Sequence, residues 1–516
     1  MILYQALSEV ASKNLARPAY HYLGKDINYG ELRIRIAKLS YLYQHEIGHH
    51  CRVAFFTRNH PAVITSFFAL TNNRSIIIPI DPDRLDDEIG NWIKQSQPTH
   101  LAVTSDLLSR AHNILNSIHA NLPILELEKK KGGEYDNSYT PPPDNVPIET
   151  DPVLLLRTEG TAENPKLILF NHKQIHSAVT SLRKPYHIAP NDRILTTMNW
   201  AHPFALSHGM LFPLLVGCTC VIDFELKGNE FLNFLVEAKI SRMVEIPKFL
   251  YQILLTCKNE QRRLPARMKS ITVGLGLLSP ELRKTFALMN IQAAHCYGQT
   301  ENVWTIAMED TEKVDLEQQQ CICHGLAGFK YKVLDENKDE ILSKGTRAPK
   351  TREGLLALTA PTIMMGYMNE EQKIDEKETK QAIRGTWLYT GDLARLEEDG
   401  DEIKVTFLGR LENAIAKDKQ YILPNKIDYA LRGVTGIQEA AGFSIDDTKG
   451  KKVLACAVVR APKCSLNETQ VIELCKSKLP PDHVPTVVTF TDFIPRTLGG
   501  CVNRNRLQKQ FSGIAG

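Results

Sequence analysis

The chain has 516 residues, 43% of them hydrophobic and 23% charged, with a formal net charge of +3. That length exceeds what one hydrophobic core usually serves, so two or more domains are expected. The near-balanced charge argues against nucleic acid or an anionic membrane as the main partner. The 11 cysteines are scattered, which fits reduced thiols in a cytoplasmic protein better than a disulfide framework. Met1 to Leu15 carries Glu9 and Lys13 and lacks the apolar core of a signal peptide. No uncharged apolar run nears the roughly 20 residues that span a bilayer, so no integral membrane segment is expected.

In chain order, Asn28-Tyr-Gly-Glu31 resembles a capping box and opens a helix through Leu42. Arg52–Phe56 and Ser75–Ile80 are short apolar runs typical of buried parallel strands. Helical stretches near Ala62–Leu70 and Leu85–Gln95 separate them from their neighbours, and that alternation predicts βαβ units with helices on both faces of a sheet. Lys129 to Asp151, with Gly132-Gly133 and Pro141-Pro142-Pro143, reads as an exposed connector. Alternation resumes at Val153–Leu156, and short strands and turns dominate between about 310 and 410. Cys321-Ile-Cys323-His324 reads as a strand end, since no second ligand pair follows at finger-like spacing. Beyond Gly409-Arg410, Lys452–Val459 reads as a strand, and Ser465-Leu-Asn-Glu468 caps a helix that runs through Lys478 to Pro480-Pro481.

Two turns carry groups suited to a nucleotide. In Tyr389-Thr-Gly-Asp392 the Asp follows a Gly turn, and its carboxylate can accept from both hydroxyls of a ribose. Tyr297-Gly298-Gln-Thr300-Glu301 offers a ring for a purine and a carboxylate oxygen for a hard divalent cation.

These turns stand in order with Asn28-Tyr-Gly-Glu31, Thr158 to Lys166, Ala201-His-Pro-Phe204, Gly274 to Ser279, Gly354 through Gly366-Tyr367, Gly409-Arg410 and Pro495 to Cys501. From about Leu15 to Leu507 the chain resembles the adenylate-forming superfamily of acyl-CoA synthetases, peptide-synthetase adenylation domains and firefly-type luciferases. The resemblance implies an α/β fold with a large N-terminal AMP-binding domain (1–409) of parallel-type sheets with flanking helices plus a β-rich subdomain. A small mobile α+β lid domain (410–516) would follow. It implies ATP, AMP and Mg²⁺ as ligands, a small carboxylic acid as substrate, and CoA or an acyl carrier protein as acceptor.

By this resemblance Thr158, Gly160, Thr161 and Lys166 hold phosphate, Gly274 and Gly276 line the adenine, Tyr297 with Gly298 stacks on it, and Asp392 and Arg410 hold the ribose. Thr300 meets the α-phosphate, Glu301 the Mg²⁺, and His202 gates the acyl pocket. Leu206, Met210, Phe212, Ile246, Phe249 and Leu250 are candidates to line that pocket. No carboxylate in Trp200–Phe204 is available to hold an amino group, so the acid is expected to be a fatty or aryl one.

Several positions depart from the family pattern. Glu159, Ala162, Glu163 and Leu167 stand where it has Ser, Thr, Gly and Gly. Like charges about 4 Å apart cost about 1 kcal/mol in water-like surroundings and about 4 at an effective dielectric near 20. His295 replaces an Asn beside the base. At the hinge Glu412 replaces Asp or Lys, with Ala416 and Lys419 in place of Lys and Gly. Cys501 stands where a lysine bridges carboxylate and α-phosphate, and a thiol of pKa about 8.5 is no fixed cation. Arg504, Arg506 and Lys419 lie nearby in the sequence, but none sits at the matching place. Two readings remain open: a ligase that activates an acid as its adenylate, and a degenerate homologue that binds an acyl adenylate, an acyl thioester or a protein partner.

Overall fold

The computed structural model describes residues 1–128, 146–158, 165–223, 226–318, 320–335, 337–341, 350–417, 420–447, 450–497 and 501–512. Glu159, Gly160, Thr161, Ala162 and Glu163 of the phosphate loop, Lys419 of the hinge and most of the 129–151 connector lie outside the described residues.

The early elements fall where hydrophobic periodicity puts them. Asn28 caps the helix Tyr29–Glu46 by accepting from the Glu31 N–H at 2.8 Å. The apolar runs form parallel strands Arg52–Phe56 and Ile76–Ile80, joined by His100–Val103, Ile124–Glu126, Pro152–Arg157, Leu167–Asn171 and Gly366–Met368 in a 7-stranded sheet. Pro152–Arg157 and Leu167–Asn171 pair antiparallel. Thr158 and Lys166 close the loop between them, with Thr158 N–H on the Lys166 carbonyl at 2.8 Å and Lys166 N–H on Thr158 Oγ1 at 2.9 Å.

The second sheet has 14 strands. Its parallel part comprises Thr219–Ile222, Arg193–Thr196, Arg242–Glu245, Ser270–Val273 and Gln292–Tyr297. Alternation along these strands divides the core: Leu195, Met243, Ile271 and Val273 join one apolar cluster, and Ile194 and Val244 the other. The β-rich stretch expected between 310 and 410 continues this ladder instead of forming a separate sheet. A two-residue strand, Ala307–Met308, pairs antiparallel with Gln292–Tyr297 and hands the ladder to Cys321–Gly325, Glu402–Arg410, Trp387–Asp399, Lys350–Thr359 and Lys330–Leu334.

After Ile415 come a 2-stranded ribbon and a 3-stranded sheet of Ile437–Asp446, Lys452–Arg460 and Val487–Phe490. Ile427, Leu431, Val458, Val471 and Cys475 form a core on one face of that sheet, and Phe443, Ala455, Leu507 and Phe511 another. The predicted cap at Ser465 is corrected. The helix is Glu468–Lys476, and Asn467 caps it in a reciprocal box with Gln470. Asn is as good a cap as Ser, and here the residue nearer the apolar stripe prevails. Among the described residues no helix is long and apolar enough to cross a membrane.

Candidate active site

The ladder brings three of the predicted residues into direct contact. The Tyr297 hydroxyl donates to Asp392 Oδ2 at 2.5 Å, and Arg410 Nη1 donates to Asp392 Oδ1 at 2.7 Å. Asp392 and Arg410 face each other across paired strands, while Tyr297 ends the last parallel strand. Asp392 is only 2% exposed, and both its oxygens are engaged. Burial, and then the Asp392 charge, push the Tyr297 phenol pKa well above its usual value. Asp392 is likewise the main reason that Arg410 holds its proton more tightly than a free guanidinium.

The turn after Tyr297 is conformationally demanding. A Cβ on Gly298 would fall 0.9 Å from the Trp304 carbonyl oxygen, so glycine is required where the backbones press together. Val303 and Trp304 hold φ of +52° and +78°, a region that non-glycine residues rarely adopt and that costs of order 1–3 kcal/mol each. Thr300 is buried in this turn. Glu301 Oε1 accepts from the Tyr367 hydroxyl at 3.0 Å, and the Lys166 ammonium lies 4.6 Å from the centre of the Tyr367 ring. Lys166 also pairs with Glu378 at 2.5 Å. Sequence reading passed over Tyr367 and Glu378, although Tyr367 stood inside a quoted segment.

Gly274 and Gly276 flank Leu275, which holds φ of +64°. Phe204 packs on Gly274, where an added Cβ would lie 2.8 Å from the ring. His202 Nδ1 accepts from the Phe204 N–H at 3.0 Å, and its ring sits 5.0 Å from Trp304 in an edge contact. Cys501 meets this segment from the C-terminal side, its Sγ 2.8 Å from the Leu275 carbonyl oxygen. The residue as a whole is exposed, yet its thiol is shielded at that contact. Desolvation there raises the thiol pKa against the opposing pull of Arg504 and Arg496.

Three groups singled out in the sequence have other surroundings. His295 is no base contact, because it is fully buried and holds the Leu278 N–H at 2.7 Å and Arg283 at 2.6 Å. Arg504 cannot stand in for a lysine at 501, since Asp428 and the Gly442 carbonyl take its guanidinium. Five of the six apolar candidates fall into two clusters: Leu206, Met210 and Phe212 belong to one core, and Leu250 and Phe249 to the cluster on the opposite sheet face. The two groups lie on separate helices, Pro203–Val216 and Pro247–Asn259, which pack into different clusters.

A further buried acid closes the strand Arg242–Glu245. Glu245 is 0% exposed, and its Oε1 accepts from the Thr197 N–H at 2.7 Å while Oε2 has no hydrogen-bond partner. Burial pushes its pKa up to about 8.

The family model for AMP-binding enzymes matches residues 7–368. The chain belongs to the AMP-binding enzyme family. Among curated members of this family, it is 22% identical to a feruloyl-CoA synthase from an Amycolatopsis species over 96% of each chain. It is 25% identical to a putative acyl-CoA ligase of Bacillus subtilis over 89% of each. Its fold matches ATP-bound MatB of Rhodopseudomonas palustris with a TM-score of 0.82 at 18% identity, covering 99% of this chain and 100% of that one. This AMP-binding enzyme thus carries the family's sequence pattern over residues 7–368 and the MatB fold over nearly its whole length.

Proposed function

We propose that the protein activates a carboxylic acid as its acyl adenylate and passes the acyl group to a thiol of CoA or a carrier protein. The observation that carries this is the cluster of Tyr297, Asp392 and Arg410 on one continuous sheet. It offers a buried carboxylate, an aromatic ring and a cation where the family seats AMP. In the reaction a carboxylate oxygen attacks the α-phosphorus of ATP and pyrophosphate leaves. A thiol then attacks the acyl carbon and AMP departs.

The chain's own residues divide the work. Asp392 would exchange its bond from Tyr297 for bonds from the ribose hydroxyls. Lys166 and the Thr300 turn would meet phosphate, and His202 and Trp304 stand at the entrance for the acid. Glu301 offers a hard oxygen held in place by Tyr367, which suits Mg²⁺ shared with phosphates, an ion commonly bound by one or two carboxylates. When bound, Mg²⁺ neutralises charge developing on the phosphates. Residues 1–409 would carry the nucleotide and 410–516 would act as a lid turning near Glu412. The contact of Cys501 with Leu275 supports a closed arrangement over the adenine segment.

Acid-dependent ATP–pyrophosphate exchange tests this reading. Exchange in the unaltered protein is the expected result. Exchange found only after Cys501→Lys and Glu159→Ser repair would replace it with the degenerate alternative. A second outcome concerns Lys166, whose pair with Glu378 is half exposed and is worth at most about 1 kcal/mol. Glu378→Gln should free the ammonium and tighten ATP binding two- to fivefold, read by calorimetry, with AMP binding unchanged.

A further inference from the structure

Far from the adenosine seat, an open cavity of about 510 Å³ lies between the first hairpin of the large sheet and the helix Gly228–Glu237. The hairpin pairs Pro18–Tyr22 with Lys25–Asn28, and Pro18–Tyr22 stands five strands along the ladder from Gln292–Tyr297. At about 4.8 Å per strand, that is roughly 24 Å away. The helix lends Glu230, Asn233, Phe234 and Glu237 to the cavity, Leu226 extends the apolar wall of Phe234, and His21 lines the hairpin side.

Buried bonds hold the two walls together. Arg193 donates to both oxygens of Asp26, at 3.1 and 2.9 Å, and to the Ala238 carbonyl just past the helix at 2.5 Å. Asp26 lies opposite His21 in the hairpin register and meets its Nδ1 at 2.6 Å. The Asp26 carboxylate beside Arg193 can only accept, so Nδ1 carries the hydrogen, and Nε2 of the neutral ring carries the lone pair. His21 is only 7% exposed, and its ring lies 6.4 Å from that of Phe234. Its Nε2 has no hydrogen-bond partner among the described residues. Glu230 and Glu237 likewise pair with no cation among the described residues. The guanidinium nearest to hand, Arg262, is taken by Asn229 and by Asn233 at 2.6 Å.

The cavity therefore offers two carboxylates and an imidazole lone pair beside an apolar wall, a set that suits a donor-rich organic cation and rejects anions. Among the described residues no group of three His, Cys, Asp or Glu side chains is placed to hold a metal ion. Glu230 and Glu237 stand seven residues apart on one stripe of the helix, about 10 Å along its axis, with Phe234 between them and His21 opposite. We propose that this cavity binds a linear polyamine of the length of spermidine. Its terminal ammonium groups rest on Glu230 and Glu237, its secondary amine donates to His21 Nε2, and its methylenes lie on Phe234 and Leu226. Asp26 and Arg193 are positioning residues that fix the His21 ring. The site is separate from the nucleotide cluster, and the inference does not depend on the adenylation reading.

Calorimetry on the full chain at about pH 8 and low salt compares spermidine with 1,8-diaminooctane, a diamine of the same length that has a methylene in place of the middle nitrogen. Spermidine should bind once per chain and at least about fivefold tighter, the worth of one hydrogen bond from a charged donor. Glu230→Gln and Glu237→Gln should each weaken spermidine about threefold, and the double variant about tenfold, as expected for exposed ion pairs. Both side chains are exposed, so the variants keep the fold, which their melting curves check. Absence of spermidine binding, equal affinity for the two amines, or unchanged affinity in the double variant each overturns the inference.

Discussion

Cys501→Lys is expected to raise the rate of adenylate formation by about 10²–10³-fold, the typical worth of one electrostatic contact made where charge develops. The structure gives this substitution a defined target. Cys501 Sγ already touches the Leu275 carbonyl between Gly274 and Gly276, and a lysine there reaches about three bonds further and ends in a fixed cation. Arg504, three residues further on, is tied to Asp428 and the Gly442 carbonyl and offers no substitute. Cys501→Met controls for length without charge. Pre-steady-state pyrophosphate release checks the prediction, and equal rates for the Lys and Met variants would mean that the cation is supplied elsewhere.

Glu245→Gln is expected to remove a pH dependence of stability. The unfolded carboxyl titrates near 4.5, and burial raises the folded value to about 8. Between those values the folded state holds a proton that the unfolded state has released, so the slope of unfolding free energy with pH is negative. The contribution is fully present below pH 4.5, falls as pH rises, and is lost by about pH 8. A shift of this size corresponds to a few kcal/mol at roughly 1.4 per unit. Gln keeps an acceptor for the Thr197 N–H and has no proton to lose. Denaturant melts at pH 5 and pH 8.5 should show the natural protein weakening more than the variant; parallel losses would place the titration elsewhere.

The main elements were legible because they obey simple periods. Arg52–Phe56 appears as a strand with the bounds that its apolar run suggested, and Asn28 caps its helix as its spacing required. The contact among Tyr297, Asp392 and Arg410 was foreshadowed too, since each is a short-range signal tied to a glycine turn. What sequence could not convey was direction. His295 and Tyr297 lie two residues apart on one face of their strand, yet one meets Arg283 and the other, at the strand end, reaches Asp392. Ile246, Phe249 and Leu250 read as pocket candidates because apolarity does not say which face of a sheet a residue covers. Leu275 and Trp304, with their left-handed backbones, break local preference and would have been assigned ordinary conformations.

Tyr297, Asp392 and Arg410 all hang from one uninterrupted set of backbone rungs. Such a scaffold does not flex open for each turnover, because doing so would tear several main-chain bonds at once. In the proposed reaction, entry and exit of nucleotide would be governed by groups that rest on the ladder without belonging to it, foremost Cys501 at its contact with the Leu275 carbonyl, while the spacing of the three side chains beneath would stay constant.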